Sequence, residues 1–223
     1  MQHTQNIDAD QDDFAVINKL IANARKAMAQ LLSANQDRVD EAVTALCWAI
    51  YKPENARETA KLAVAGTGLG NVEDKIIKNQ RKNFGTLRDL LRVKTVGIIE
   101  KFPERGLVKY AKPVGVVGAV VPSTNPCATP VNKAMMAIKG RNAVIIAPSP
   151  AGLQATGRTV ELMRSELEKI GLPANLVQIL PGPISKNLTN TLMQECDLVV
   201  VTGSQNNVRN AYKSGTPAIG VGA

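Results

Sequence analysis

Lys112-Pro-Val-Gly-Val-Val-Gly-Ala-Val-Val-Pro-Ser-Thr-Asn-Pro126 is the stretch whose reading decides the fold. From Val116 to Val121 every residue is apolar or Gly, mostly β-branched, and Pro113 and Pro122 bound the run. A short apolar run without polar alternation reads as a strand buried on both faces of a parallel sheet. The polar turn Pro122-Ser-Thr-Asn-Pro126 follows, and a helical pattern resumes at about Pro130. Open α/β sheets bind ligands outside the carboxyl ends of their strands, so chemistry is expected at this turn. Asn125 is the candidate for it, because a neutral amide can donate to a developing oxyanion without adding a titrating charge.

Downstream the same grammar repeats. The spacing predicts strands at Ala143–Ala147, Leu176–Leu180 and Leu198–Val201, each followed by a helix: Leu153–Ile170, Ser185–Glu195 and a short one ending at Lys213. The helix Pro130–Lys139 follows the first strand, and a fifth strand begins at Ala218–Val221. Repeated β-α units of this length imply a parallel sheet with helices on both faces.

Upstream the chain reads differently. Residues 1–13 read as a loose polar lead, after which Ile17, Leu20, Ile21, Ala24, Met28 and Leu31 keep a helical period. Val39, Ala42, Val43, Leu46 and Ile50 mark a second helix, and Pro53 opens a third. Gly66-Thr-Gly-Leu-Gly70 follows a helix rather than a strand, so it reads as a helix terminator and not as a nucleotide loop. A fourth helix begins after Asn71, with Val72, Ile76, Ile77, Phe84, Leu87 and Leu91 expected on its buried side. Val96–Ile99 and Leu107–Tyr110 then read as two strands around a polar turn. A two-stranded ribbon is marginal alone, so it is either an oligomerisation arm or a hairpin folded back on its own domain. The organisation expected is a helical part at 1–95, the hairpin at 96–112 and a Rossmann-like part at 113–223.

Composition narrows the function. Only 3% of the residues are aromatic, which leaves few platforms for stacking nucleic-acid bases, so the +8 net charge is read as a solvated surface or a polyphosphate ligand. Cys47, Cys127 and Cys196 lie far apart and His3 stands alone, which disfavours metal chemistry. No apolar window is long enough for a membrane span and the start lacks the pattern of a signal peptide, so a cytoplasmic protein without nucleic-acid or membrane partners is expected.

Further candidate site residues sit at strand ends. Thr202-Gly-Ser204 closes a buried strand; Gly203 would let a ligand approach the backbone, and Ser204 stands at an N-cap where helix amides can receive a phosphate. Ala147-Pro-Ser-Pro150 and Leu180-Pro-Gly182 close neighbouring strands and could wall an adenosine pocket, although such turns are commonly rich in Pro, Gly and Ser. Cys127 has no His near it in sequence, so packing is its better reading than nucleophilic attack.

Taken together, Gly68-Leu-Gly-Asn-Val-Glu-Asp-Lys-Ile-Ile-Lys-Asn79, Pro113-Val-Gly-Val-Val-Gly118, Pro122-Ser-Thr-Asn-Pro126 and Val200-Val-Thr-Gly-Ser204 resemble the aldehyde dehydrogenase superfamily, in its coenzyme A-acylating branch. Within that branch, Asn132–Ala137 and Ala147–Pro150 resemble the acylating enzymes for sulfoacetaldehyde; acetaldehyde and succinate semialdehyde are alternative substrates. The resemblance implies that a Cys thiolate attacks a small aldehyde, Asn125 donates to the oxyanion, hydride passes to NAD or NADP, and coenzyme A takes the acyl group. It implies that Pro122, Ser123, Thr124, Ala147, Pro148, Ser149, Pro150, Gly182, Thr202, Gly203 and Ser204 serve the cofactor. Thr124 stands where non-acylating relatives carry an aromatic residue, and Val221 where they carry a general-base Glu. Ala147 and Pro150 replace the Lys and Glu that many relatives present to the ribose, leaving NAD and NADP both open. The nucleophilic Cys of the family lies downstream of this chain, which is therefore expected to be the cofactor-binding portion, inactive alone and homo-oligomeric when full length. The alternatives are a standalone nucleotide-binding or oligomerisation module and a non-acylating aldehyde dehydrogenase.

Overall fold

The computed structural model describes residues 2–222, with side chains from residue 12 onward. Four helices come first: α1 (Gln2–Leu31), α2 (Gln36–Tyr51), α3 (Pro53–Thr67) and α4 (Val72–Leu91). Their boundaries follow local chemistry. Asn35 and Asn71 cap α2 and α4, each accepting from a backbone N–H three residues on. Pro53 opens α3, and Gly68, at φ 65°, closes it in the left-handed conformation that Gly adopts without steric cost. The glycine cluster is thus a helix stop, as read from its context.

An antiparallel hairpin of β1 (Gly97–Phe102) and β2 (Leu107–Ala111) forms a separate two-stranded sheet. The chain then alternates β3 (Val116–Val120), α5 (Ala128–Lys139), β4 (Ala143–Ala147), α6 (Leu153–Lys169), β5 (Val177–Ile179), α7 (Lys186–Glu195), β6 (Leu198–Gly203), α8 (Gln205–Lys213) and β7 (Ala218–Gly222). The five strands pair in parallel in the order β5-β4-β3-β6-β7. The chain moves outward from β3 to β5, then returns to the other side of β3. Right-handed crossovers consequently place α5 and α6 on one face and α7 and α8 on the other. Helix α1 packs against α7 and β4, whereas α2 lies over α5 and α6.

All five residues of β3 and of β4 are buried, which explains their uniform apolar reading. The charged pair between Lys139 of α5 and Asp40 of α2 joins two layers; Lys139 is almost wholly buried and has its counterion beside it.

Two expectations are corrected. The lead at 1–13 is not loose from residue 2 onward, because α1 already runs from Gln2. Once a helix is nucleated, each further residue adds a hydrogen bond, so its first turns need no apolar period. The expected buried side of α4 holds only at Leu87, which is buried, and in part at Val72 and Ile76, which are half-buried. Ile77, Phe84 and Leu91 are exposed, and the buried stripe is Lys75, Asn79, Asn83 and Leu87. That stripe keeps a spacing of four, so the helical period is right and the face is not. The reason lies in what the stripe covers.

Candidate active-site turn and cofactor crevice

The turn after β3 is held from behind by polar side chains of α3, α4 and α6. Lys75 Nζ donates to the Thr124 carbonyl at 3.4 Å, and Thr156 Oγ1 donates to the Pro126 carbonyl at 2.8 Å. Cys127 Sγ donates to the Thr59 carbonyl at 3.4 Å, while Asn79 Nδ2 donates to Thr59 Oγ1 at 3.2 Å. The carbonyls on either side of Asn125 are therefore fixed. Asn125 itself is half-buried, and its side chain makes no hydrogen bond to any described residue, so its amide can donate outward. Pro122 and Ser123 are half-buried and Thr124 is exposed.

Sheet register brings the second candidate alongside. Val120 pairs with Val201, so Pro122 and Gly203 each lie two residues beyond the same rung. Strands β3 and β6 also flank the point where the connection reverses direction, the place at which open α/β sheets leave a crevice. Ser204 is the N-cap of α8, its Oγ accepting from Asn207 N–H at 3.4 Å, and the first turn of α8 carries no acid. Thr202 and Gly203 are half-buried and Ser204 is exposed. A Cβ at Gly203 would stand 3.2 Å from Asn207 Nδ2, so Gly keeps this backbone bare. A bare strand end, an acid-free helix start and a hydroxyl cap fit a pyrophosphate.

The turn after β4 packs onto the first, and the turn after β5 packs against the start of α6. Ser149 Oγ accepts from Gly152 N–H at 3.1 Å, and a Cβ at Gly152 would meet Pro126 Cβ at 3.0 Å. A Cβ at Gly182 would meet Leu153 Cδ2 at 2.8 Å, which places the turn after β5 against the start of α6. Ala147 and Pro148 are buried, whereas Ser149 is half-buried and Pro150 and Gly182 are exposed. Of the Ala147–Pro150 turn, then, Ser149 and Pro150 carry the accessible surface.

None of the three thiols suits nucleophilic work. Burial pushes Cys47, Cys127 and Cys196 up to about 11, so each is a neutral thiol near neutrality. Cys127 is 1% exposed and points at the Thr59 carbonyl, in keeping with its reading as packing. Lys133 of α5 is 5% exposed, donates to the Val200 carbonyl at 2.7 Å and has no carboxylate partner among the described residues. Burial pulls its ammonium down to about 7.

Sequence reading missed Lys75, Thr156 and Lys133. The repeat Lys75, Asn79, Asn83 was a usable signal for the first, because polar residues four apart mark one helical face as clearly as apolar ones. Thr156 and Lys133 carried no such signal. A cavity of about 670 Å³ lies at the opposite end of the sheet beside Pro113, Arg141 and the hairpin root, and includes none of these site residues.

Fold and turns together define a Rossmann-like α/β unit with an amide donor and a helix start side by side at its carboxyl edge. The chain belongs to the aldehyde dehydrogenase family: residues 7–219 match the profile described as "Aldehyde dehydrogenase family". It is 52% identical over 204 residues to the "Sulfoacetaldehyde dehydrogenase (acylating)" of Cupriavidus necator, covering 92% of this chain and 41% of that protein. Among solved structures it resembles an acetylating aldehyde dehydrogenase from Geobacillus thermoglucosidasius, with TM-score 0.89, 34% identity, and coverage of 96% of this chain and 47% of that one. It also resembles a propionaldehyde dehydrogenase of Rhodopseudomonas palustris with bound CoA, at TM-score 0.79 and 29% identity over 93% of this chain and 47% of that one. The chain thus spans less than half the length of these relatives.

Proposed function

We propose that this chain is the cofactor-binding portion of a coenzyme A-acylating aldehyde dehydrogenase, converting a small aldehyde, NAD(P)⁺ and coenzyme A to an acyl-CoA and NAD(P)H. The observation that carries the reading is the Asn125 amide, unpaired among the described residues, in the turn that leaves β3 next to the strand β6 that ends in Thr202-Gly-Ser204. In this reading Asn125 donates to the oxyanion formed when a thiolate adds to the aldehyde, which is the point at which negative charge develops. The thiolate comes from the part of the relatives that this chain does not span, consistent with three buried, protonated cysteines here. Gly203, Ser204 and the first amides of α8 receive a pyrophosphate, and Ser149, Pro150 and Gly182 flank the adenosine. The bound dinucleotide supplies the hydride acceptor; the residues named here orient it and hold the carbonyl oxygen.

Thr124 and Val221 favour transfer to coenzyme A over water, because a general-base Glu at position 221 would activate water and Val cannot. The acylating activity in the relative's name and the CoA bound in the propionaldehyde dehydrogenase agree with this. Sulfoacetaldehyde is the proposed aldehyde. The β1–β2 hairpin, whose Leu107, Val108 and Tyr110 are exposed, is proposed as a homo-oligomer contact.

Product analysis of the full-length polypeptide tests the proposal. An acyl-CoA should accumulate one for one with NAD(P)H, and omission of coenzyme A should stop turnover after acylation. Free acid formed at the same rate without coenzyme A would refute the acylating reading. With the isolated chain, calorimetry should detect NAD(P)⁺ binding that Gly203→Val abolishes.

A further inference from the structure

The carbonyl of Pro126, directly after the oxyanion donor, has no partner within the helix it leads into. The residue four positions on, whose N–H would ordinarily bond back to it, is Pro130, which has none. Pro126 is buried, so an unmatched carbonyl there would be costly. Thr156 Oγ1 of α6 supplies the bond at 2.8 Å. Other helical threonines use their hydroxyls differently. Thr44, Thr59, Thr67 and Thr159 each return theirs to the carbonyl four residues earlier in their own helix. Thr156, fully buried, sends its hydroxyl off its helix to a carbonyl 30 residues away in sequence.

That bond acts on a segment with little freedom left. The pyrrolidine ring fixes φ of Pro126, and the residue before a proline, Asn125, is confined to extended conformations. Rotation about ψ of Pro126 is what remains to set Asn125 against α5, and the bond from Thr156 to the Pro126 carbonyl oxygen sets that angle. Close packing tightens the joint from the same helix, since a Cβ at Gly152 would meet Ser149 Oγ at 2.9 Å and Pro126 Cβ at 3.0 Å. The approach to α6, Ser149 to Gly152, is also the turn that flanks the proposed adenosine position. One element thus borders the cofactor and pins the turn that carries the amide. We infer that Thr156 is a positioning residue, whose hydroxyl holds Asn125 in register with the bound dinucleotide through the Pro126 carbonyl. This rests on the reading of Asn125 as oxyanion donor and deepens it by naming what aims the amide.

The test is a double-mutant cycle in the full-length enzyme, with kcat for acyl-CoA formation expressed per titrated catalytic thiol and dinucleotide affinity measured alongside. Thr156→Val keeps the shape and removes the donor; it should lower kcat about 10-fold, as misplaced catalytic groups do, with NAD(P)⁺ affinity within about twofold. Thr156→Ser keeps the hydroxyl and should stay within about threefold of the parent. In an Asn125→Ala background, Thr156→Val should change kcat by less than about twofold, because the residue it acts through is gone. A loss that persists undiminished in that background overturns the inference. So does a kcat per thiol that Thr156→Val leaves unchanged, including the case where only the number of titrated thiols falls, the mark of a merely structural role. If Thr156→Val does not fold, Gly152→Ala, which presses on Pro126 from the same helix, takes its place in the cycle with the same expectation. Without turnover, the NMR resonances of the Asn125 side-chain amide in the isolated chain should shift in Thr156→Val and return in Thr156→Ser; resonances unmoved in Thr156→Val count against the inference. An Asn125→Ala enzyme with unaltered kcat would instead sink the oxyanion reading itself.

Discussion

The central strands and helix α4 are both buried, yet they bury opposite chemistry. In β3 and β4 every side chain is enclosed and apolar, and the stretch does nothing but hold the sheet together. In α4 the enclosed stripe is Lys75, Asn79, Asn83 and Leu87, while Ile77, Phe84 and Leu91 face out. The difference lies in what each covers. The strands meet other strands and aliphatic helix faces. The stripe meets Thr59, the Thr124 carbonyl and the back of the Asn125 turn, where polar atoms need partners. Apolar burial builds the scaffold here, and polar burial positions the site.

Substitutions should separate these two kinds of burial. Ile146→Ala in β4 removes a fully enclosed side chain and should cost about 3 kcal/mol in urea unfolding. A loss under 1 kcal/mol would mean that the sheet centre is far looser than described. Lys133 of α5 breaks the pattern, since an amine with no carboxylate partner among the described residues is enclosed against β6. Its ordinary value of 10.5 falls to about 7 in the fold, so between pH 7 and 9 the unfolded chain binds a proton that the folded chain does not. Stability from this group therefore rises with pH across that window, by at most about 1.4 kcal/mol per unit. Lys133→Met should flatten the rise and raise the melting temperature at pH 7; an unchanged pH profile would show that Lys133 is charged in the fold. Above pH 9 the three cysteines act oppositely, because their thiols, raised from 9.0 to about 11, ionise first in the unfolded chain.

Asn79→Ala should cost about 1 kcal/mol, and more if Thr59 is left unsatisfied, because the stripe bonds the turn's support. Phe84→Ser, five residues along on the outer face, should change stability by less than about 0.5 kcal/mol, as exposed positions generally do. Reversed magnitudes for this pair would restore the apolar face as the buried one.

Much of the fold was legible because burial and apolarity coincide in the Rossmann-like part. Strand Ala143–Ala147 was read to the residue, the N-cap Ser204 and the stop at the Gly66–Gly70 cluster announce themselves by residue type, and the helix start at Ser185 was read one residue early because Ser185 is its cap. The rule failed where they do not coincide. On α4 the large apolar residues were assigned inward by default, and the polar repeat beside them was passed over. Of the proposed site, Asn125, Gly203 and Ser204 were the residues that type and position at a strand end single out in the sequence. Its supports were not, since Lys75 and Thr156 reach the turn from 49 and 30 residues away in sequence and only the folded chain brings them there.

The most direct measurement is single-turnover and steady-state kinetics of Asn125→Ala in the full-length enzyme, paired with its dinucleotide affinity. The amide makes no hydrogen bond to any described residue, so kcat for acyl-CoA formation should fall about 100-fold, with NAD(P)⁺ affinity unchanged within about twofold. An unaltered kcat, or a loss that appears entirely as weaker NAD(P)⁺ binding, would contradict the assignment of Asn125 as the oxyanion donor.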